Sequence, residues 1–143
     1  MIKFSTMERP THAGLRHLAL SVRDLPAMKR FYVELLGFAV EWEPDPDNIY
    51  LSSGIDNLAL HRSTDLTAGR TRESNGAGAL DHLGVIVRDA ADVDRWAAFL
   101  EASGVAMSAK PKTHRDGARS CYFKDPDGNS VQIIHHPPIS LKV

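Results

Sequence analysis

The feature that most constrains the fold of this chain is a phrase that occurs twice. Residues 15–24 read LRHLALSVRD and residues 80–89 read LDHLGVIVRD, which puts His17 and His82 at equivalent positions. A repeat of this kind indicates two copies of one structural unit. The sequence therefore predicts a duplicated architecture in which each copy opens with a strand that carries a histidine near its start.

The first copy, residues 15–61, predicts the element order βαβββ. Residues 15–22 alternate between large apolar and small or polar side chains, as expected of a strand with one buried face. Asp24 is a good N-cap and Gly37 supplies a left-handed stop, so a helix is predicted between them. The predicted helix covers 25–36, and the strands that follow it cover 38–43, 48–52 and 57–61.

The second copy, residues 80–136, repeats this order. Asp89 caps a helix that Gly104 ends, and the tetrapeptide DPDG at 125–128 is a strong turn signal. The predicted strands are 80–88, 105–109, 118–124 and 130–135.

The remaining segments complete a chain that we expect to form one structural domain. Residues 1–14 are predicted to be an N-terminal arm and 137–143 a C-terminal tail. Residues 62–79 contain three glycines among polar side chains, so we expect a mobile linker between the units. Regular structure is expected to end at the HHPPIS segment.

The open face of each first strand is a candidate cleft lining. On it the histidine is followed by a small residue, Ala19 in the first copy and Gly84 in the second. Small side chains leave room for a ligand.

Composition excludes several classes of partner. The chain carries 17 basic and 18 acidic residues without a long basic run, so no nucleic-acid partner is expected. No apolar stretch reaches the roughly 20 residues that cross a bilayer, so no membrane partner is expected either. Cys121 is the only cysteine, which rules out an internal disulfide and favours a cytoplasmic location.

The combined pattern resembles the vicinal oxygen chelate superfamily. The resemblance rests on two βαβββ units, an H-x-x-L/V-x-V-x-D opening and a D-P-D-G-N-x-V-x-I close, and it covers about residues 15–136. This group includes glyoxalase I, fosfomycin-resistance thiol transferases, extradiol dioxygenases and bleomycin-resistance proteins. The resemblance implies an α+β fold of two βαβββ modules that form a cupped mixed sheet around one cleft. It also implies a homodimer, often with a site shared between chains.

The resemblance further implies a divalent metal ion, Zn, Ni, Mn or Fe. Carried over by position, His17 and His82 match the first-strand ligands of the two units. Gln132 stands where the family has a glutamate, and Ala59 stands where glyoxalase I has its other carboxylate. His61 follows Ala59 on the same face, one pleat further along, and is a possible additional ligand. The alternative is that these histidines are ordinary strand residues bonded to neighbours, and that Gln132 is a polar cleft residue.

The family also contacts substrate with the segment at 114–120, which leads into the third strand of the second unit, and with that strand itself. Arg115 or Arg119 could hold a carboxylate or phosphonate, and Ser120 accompanies them as a substrate-binding candidate. Tyr122 or His114 could donate or accept a proton. A solvated hairpin with incidental charges is the alternative.

Other residues have simpler interpretations. Glu41 and Glu43 are predicted to share one face of the second strand, as catalytic-base candidates or edge charges. Trp42 and Trp96 are expected to be core or interface aromatics. Alternation places Cys121 in the core.

The function that this resemblance favours is a small metal-dependent enzyme of glyoxalase type, a lyase or isomerase. The metal would chelate two adjacent oxygens of a small-molecule substrate and stabilise an enolate or alkoxide. One alternative is an extradiol-type dioxygenase, which the neutral Gln132 weakens because such sites use a carboxylate. The other is a metal-free drug- or metabolite-binding protein of the bleomycin-resistance type.

Overall fold

The computed structural model describes residues 15–63 and 80–140. The predicted arm at 1–14, nearly all of the linker and residues 141–143 lie outside this range. The first module contains β1 (His17–Val22), α1 (Leu25–Arg30), a π-helical segment (Phe31–Leu35), β2 (Ala39–Asp45), β3 (Asn48–Ser52) and β4 (Asn57–Arg62). The second module contains β5 (Leu83–Ile86), α2 (Ala90–Ala102), β6 (Met107–Thr113), β7 (Arg119–Lys124), β8 (Ser130–His135) and α3 (Pro137–Ser140).

The eight strands form two separate four-stranded mixed sheets. Their strand orders are β1-β4-β3-β2 in the first module (sheet 1) and β5-β8-β7-β6 in the second (sheet 2). In each sheet the opening strand runs parallel to the closing strand, and the other neighbours are antiparallel. The two sheets are topologically identical. The predicted α+β fold of two βαβββ modules is confirmed.

Local sequence signals explain where the helices begin and end. The Asp24 side chain accepts a hydrogen bond from the backbone of Ala27 at 2.9 Å, and Asp89 forms a capping box at α2. Gly37 and Gly104 follow the two helices with φ of 76° and 83°, a region that favours glycine. The predicted helix over 25–36 is present, although its second half is π-helical.

The largest differences between the predicted and the observed boundaries are three. β5 begins only at Leu83, so His82 lies just before the strand and not inside it. β6 covers Met107–Thr113 and not 105–109, since it continues to the end of the hairpin with β7. The prediction that regular structure ends at HHPPIS was wrong, because α3 occupies Pro137–Ser140; a proline at the first helical turn lacks only an N–H that would be unpaired there.

One hydrophobic core spans both modules, and α1 with its π-helical extension joins them. The ring of Phe31 packs against Phe123 of β7 at 6.1 Å between centroids. The buried Tyr32 hydroxyl donates to Asp125, in the turn between β7 and β8, at 2.9 Å. The two modules therefore share core packing within one chain. Among the described residues, no helix is long and apolar enough to span a membrane.

Candidate functional site

Each sheet has one face packed into the core and one open face. Along β1 the side chains of Leu20 and Val22 are buried, whereas His17, Ala19 and Ser21 are exposed. This is the alternation expected of a strand covered on one side only. The candidate ligands from both modules belong to the open faces.

On the open face of sheet 1, His17 is part of a chain of hydrogen bonds. Its Nδ1 lies 2.7 Å from Oδ1 of Asn57, the residue directly opposite it on β4. The Nδ2 of Asn57 donates in turn to Glu41 at 2.5 Å. His17 is thus held through one nitrogen, and Nε2 has no hydrogen bond from the described part of the chain.

His61 belongs to a different part of the same face. Its Nδ1 lies 2.6 Å from Oδ1 of Asn48, whose Nδ2 donates to Asp45 at 2.8 and 3.0 Å. His61 pairs with Ser21 in the ladder, four residues along from the position of His17, which corresponds to about 13 Å at the usual strand rise. The structure does not bring His17 and His61 of one chain together.

Sheet 2 brings three of the predicted residues into one group. His82 stands edge-on to the ring of Tyr122, with 5.5 Å between centroids and 88° between planes. Gln132 donates from Nε2 to the Tyr122 hydroxyl at 2.6 Å. His82 Nδ1 is 2.5 Å from the carboxylate of Asp81.

Gly84 makes room for Gln132. The two residues pair across β5 and β8, and a Cβ placed on Gly84 would lie 3.3 Å from Gln132 Oε1. That separation is tighter than ordinary van der Waals contact, so a larger residue would push against the amide. The buried Gln132, only 6% exposed, therefore depends on this glycine for its position.

The direction of the Tyr122–Gln132 bond has a chemical consequence. The amide N–H of Gln132 donates to the phenolic oxygen, so the hydroxyl proton of Tyr122 is not used in this contact. No acceptor among residues 15–63 and 80–140 takes that proton. A glutamate at position 132 would accept from Tyr122 and reverse this polarity.

A cleft of about 740 Å³ opens beside this group. Its lining includes two cationic side chains, Lys112 and Arg115, and one carboxylate, Asp116, together with Tyr122 and Gln132. His114 also lines it and bonds through Nε2 to the hydroxyl of Ser120 at 2.9 Å. Ser120 is 1% exposed, so its hydroxyl faces His114 and not the cleft opening.

Arg119 does not line this cleft and pairs instead with a residue of α2. Its guanidinium forms a bidentate pair with Asp94 of α2 at 2.6 and 2.8 Å. This pairing holds the pKa of Asp94 below its usual value and raises the pKa of Arg119. Arg119 shares the helix-covered face of β7 with Cys121, a position that strand alternation alone could have indicated.

The two glutamates of β2 differ from the prediction. Glu41 and Glu43 do not share a face. The register of β2 shifts between Val40 and Trp42 and again between Trp42 and Asp45, and Glu41 reaches Asn57 while Glu43 pairs with Lys29 of α1 at 2.6 Å. A bulge leaves no clear mark in the sequence.

Of the two tryptophans predicted to be core or interface aromatics, Trp96 packs against the core. Trp42 is not a core residue, since it is 59% exposed and stacks on Tyr50 at 5.1 Å. Cys121 is buried as predicted, and burial raises the pKa of its thiol.

The residues that support the histidines were not predicted from the sequence. These are Asn57 and Glu41 for His17, Asn48 and Asp45 for His61, and Asp81 for His82. Only Asp81 carried a signal, because it directly precedes its histidine.

The described part of one chain does not assemble a complete metal site. Over residues 15–63 and 80–140, no group of three or more His, Cys, Asp and Glu side chains could hold a metal ion. No hydrogen bond or ring contact of those residues joins the His17 group to the His82 group. The donor types fit a divalent ion of intermediate softness, since two imidazoles and an amide oxygen are available. These donors lie on two different sheets, and within the described part of one chain they do not form one site.

Comparison with known proteins identifies the family. The model of the Glyoxalase/Bleomycin resistance protein/Dioxygenase superfamily matches residues 14–133. The chain belongs to this superfamily. A solved lactoylglutathione lyase from Agrobacterium tumefaciens is 25% identical, with 88% of this chain and 96% of that one covered and a TM-score of 0.71.

Two further superfamily structures show the same fold. A glyoxalase/bleomycin resistance protein/dioxygenase from Alicyclobacillus acidocaldarius is 23% identical, covering 92% of this chain and 97% of its own at a TM-score of 0.68. One from Nocardioides is 24% identical, covering 92% and 86% at a TM-score of 0.65. Superfamily members commonly bind divalent metals and small molecules.

Proposed function

We propose that this protein is a metal-dependent enzyme of glyoxalase type that acts on a small anionic substrate in the cytoplasm. The observation that supports this most is the group formed by His82, Tyr122 and Gln132 on the open face of sheet 2, beside a cleft with two cationic side chains. This group combines a ligand for a metal, a proton donor and an anion-binding rim. The likeness to a lactoylglutathione lyase agrees with it.

The metal would be held by His82 and Gln132 of one chain and His17 of a second chain in a homodimer. Support comes from two observations on residues 15–63 and 80–140. No group of three or more ligating side chains forms within one chain, and no hydrogen bond reaches Nε2 of His17. His61 is left out of this set because its place in the ladder is four residues from that of His17. Zn, Ni, Mn and Fe are the candidates, bound more weakly than in a carboxylate site.

When bound, such an ion would polarise two adjacent substrate oxygens and stabilise negative charge that develops on them. The chain's own residues would do the rest. Arg115 and Lys112 would hold an anionic group of the substrate at the rim of the cleft. The Tyr122 hydroxyl, whose oxygen already accepts from Gln132, would donate its proton to a substrate oxygen.

A metal-free binding protein is the second candidate, and one observation favours it. Gln132 is neutral, and its amide nitrogen is already bonded to Tyr122. An extradiol dioxygenase receives less support because its iron site requires a carboxylate that this position lacks.

The test is the metal content of protein purified without chelators, followed by titration with Zn, Ni, Mn and Fe. The enzyme proposal predicts binding that is lost in both His17→Ala and His82→Ala and kept in His61→Ala, the matched control. Absence of metal and of any binding would refute it and leave the binding protein. Oxygen uptake with a catechol would instead support the dioxygenase.

A further inference from the structure

We infer that Glu41 and Asp45 are positioning residues, each of which fixes the tautomer of one histidine on the open face of sheet 1 through a single asparagine. The juxtaposition is a repeated carboxylate–asparagine–histidine chain. It consists of Glu41–Asn57–His17 and Asp45–Asn48–His61. Neither carboxylate touches the histidine that it controls.

The hydrogen-bond chain Glu41–Asn57–His17 allows only one placement of its protons. An ionised carboxylate only accepts hydrogen bonds, so the Glu41 contact at 2.5 Å must be made by the NH₂ group of Asn57. The carbonyl oxygen of the same amide then faces His17 at 2.7 Å. That oxygen only accepts, so Nδ1 of His17 must carry the proton. Nε2 of the neutral ring is left with its lone pair.

The hydrogen-bond chain Asp45–Asn48–His61 has the same arrangement at an independent place. Both oxygens of Asp45 contact Nδ2 of Asn48, at 2.8 and 3.0 Å. Oδ1 of Asn48 therefore faces His61 at 2.6 Å and accepts from Nδ1. The two histidines are four residues apart in the ladder. A substitution that breaks the hydrogen bonds of one therefore makes no direct contact with those of the other.

On sheet 2 the tautomer of His82 is fixed in the same way, but no asparagine lies between the carboxylate and the histidine. Asp81 contacts Nδ1 of His82 directly, and a carboxylate there also requires the proton on Nδ1. All three histidines thus carry the proton on Nδ1, and in the described part of the chain no hydrogen bond reaches their Nε2 atoms. For His17, the effect on metal binding rests on the proposed function, whereas the tautomer does not.

The tautomer is measured on the intact protein by long-range ¹H–¹⁵N NMR of the histidine rings at pH 9, where imidazole is neutral. In the unmodified protein, His17 and His61 should each show the Nδ1–H form alone. Glu41→Ala frees the Asn57 amide to rotate, so His17 should become a mixture of tautomers while His61 is unchanged. Asp45→Ala should do the converse, and each variant is the control for the other.

A conservative variant separates positioning from a general structural effect. Glu41→Gln keeps an oxygen that can accept from Asn57, so His17 should remain in the Nδ1–H form. The inference is overturned by an Nε2–H form or a mixture in the unmodified protein, by an unchanged His17 in Glu41→Ala, or by equal changes at both histidines in that variant.

Binding of Zn²⁺ to the same proteins tests the consequence for function. Asn57→Ala should weaken it about 10- to 100-fold, the usual effect of losing a partner of a ligating histidine. If His17 has the Nδ1–H form but Zn²⁺ does not bind, the proposed metal role fails and the positioning inference stands. If Zn²⁺ binds and His17 is a mixture, the positioning inference fails alone.

Discussion

The hydrogen bond from Tyr32 to Asp125 offers a direct test of how the two modules are held together. Replacing Tyr32 with phenylalanine removes one hydroxyl and keeps the ring, whose edge contacts with Phe31 at 5.3 Å and Phe38 at 5.6 Å remain. The lost bond, 2.9 Å long, is buried and ends on a carboxylate. Bonds of that kind contribute about 1.5 to 3 kcal/mol, so the free energy of unfolding should fall by that amount.

Urea denaturation followed by circular dichroism measures this change. Tyr50→Phe is the matched control, because the Tyr50 hydroxyl has no hydrogen bond to the described residues, and its variant should stay within about 0.5 kcal/mol of the parent. A Tyr32→Phe effect no larger than that of the control would refute the account of the contact between the modules.

The same variant has a predicted pH dependence. Burial raises the pKa of Asp125 above its usual value, and the bonds from Asn129, Tyr32 and Asp127 oppose that rise. A carboxyl group with a raised folded-state pKa contributes stability at low pH that is lost as pH rises through that pKa. Removing the Tyr32 hydroxyl raises the pKa of Asp125 further, so the cost of Tyr32→Phe should grow from pH 4 to pH 7. Burial and the Asp125 charge raise the pKa of Tyr32 as well, so its phenol stays protonated throughout.

Three further substitutions test the cleft of sheet 2. Gln132→Glu should tighten divalent metal binding roughly tenfold, or about 1.4 kcal/mol, because it supplies a negative ligand; calorimetry showing no gain would contradict the placement of the metal. Gly84→Ala should cost about 1 kcal/mol in urea denaturation, since its Cβ would lie 3.3 Å from Gln132 Oε1, and an unchanged midpoint would contradict that packing. Arg115→Ala should weaken binding of an anionic ligand such as phosphonoacetate in calorimetry. Arg119→Ala should not, because the guanidinium of Arg119 is paired with Asp94. Equal effects of the two substitutions would show that the anion does not bind in this cleft.

The duplicated phrase and the helix caps predicted most of the fold because those signals are local. Asp24 and Asp89 place the helix starts, and strand alternation separates the buried and open faces. The features that were missed depend on partners distant in sequence. His17 meets Asn57 only after β1 pairs in parallel with β4, and the bulge in β2 that sends Glu41 to the open face follows from its pairing with β3.

The candidate site was predictable to a similar extent. Position in the repeat identified His17 and His82, and the family resemblance added Gln132. The structure joins His82 and Gln132 through Tyr122. The direction of the Gln132–Tyr122 bond and the use of Arg119 by α2 could not be read from residue order. Both depend on side-chain contacts between neighbouring elements, which one sequence does not specify.

The central claim is that one divalent ion is held by His17 of one chain and by His82 and Gln132 of another. Mixing His17→Ala with His82→Ala protein under conditions that exchange subunits tests it most directly. About half of the dimers would then be mixed, and each mixed dimer would contain one intact site. The account predicts that neither variant alone binds Zn²⁺ and that the mixture does. Failure of the mixture to bind, while the unmodified protein binds, would contradict it.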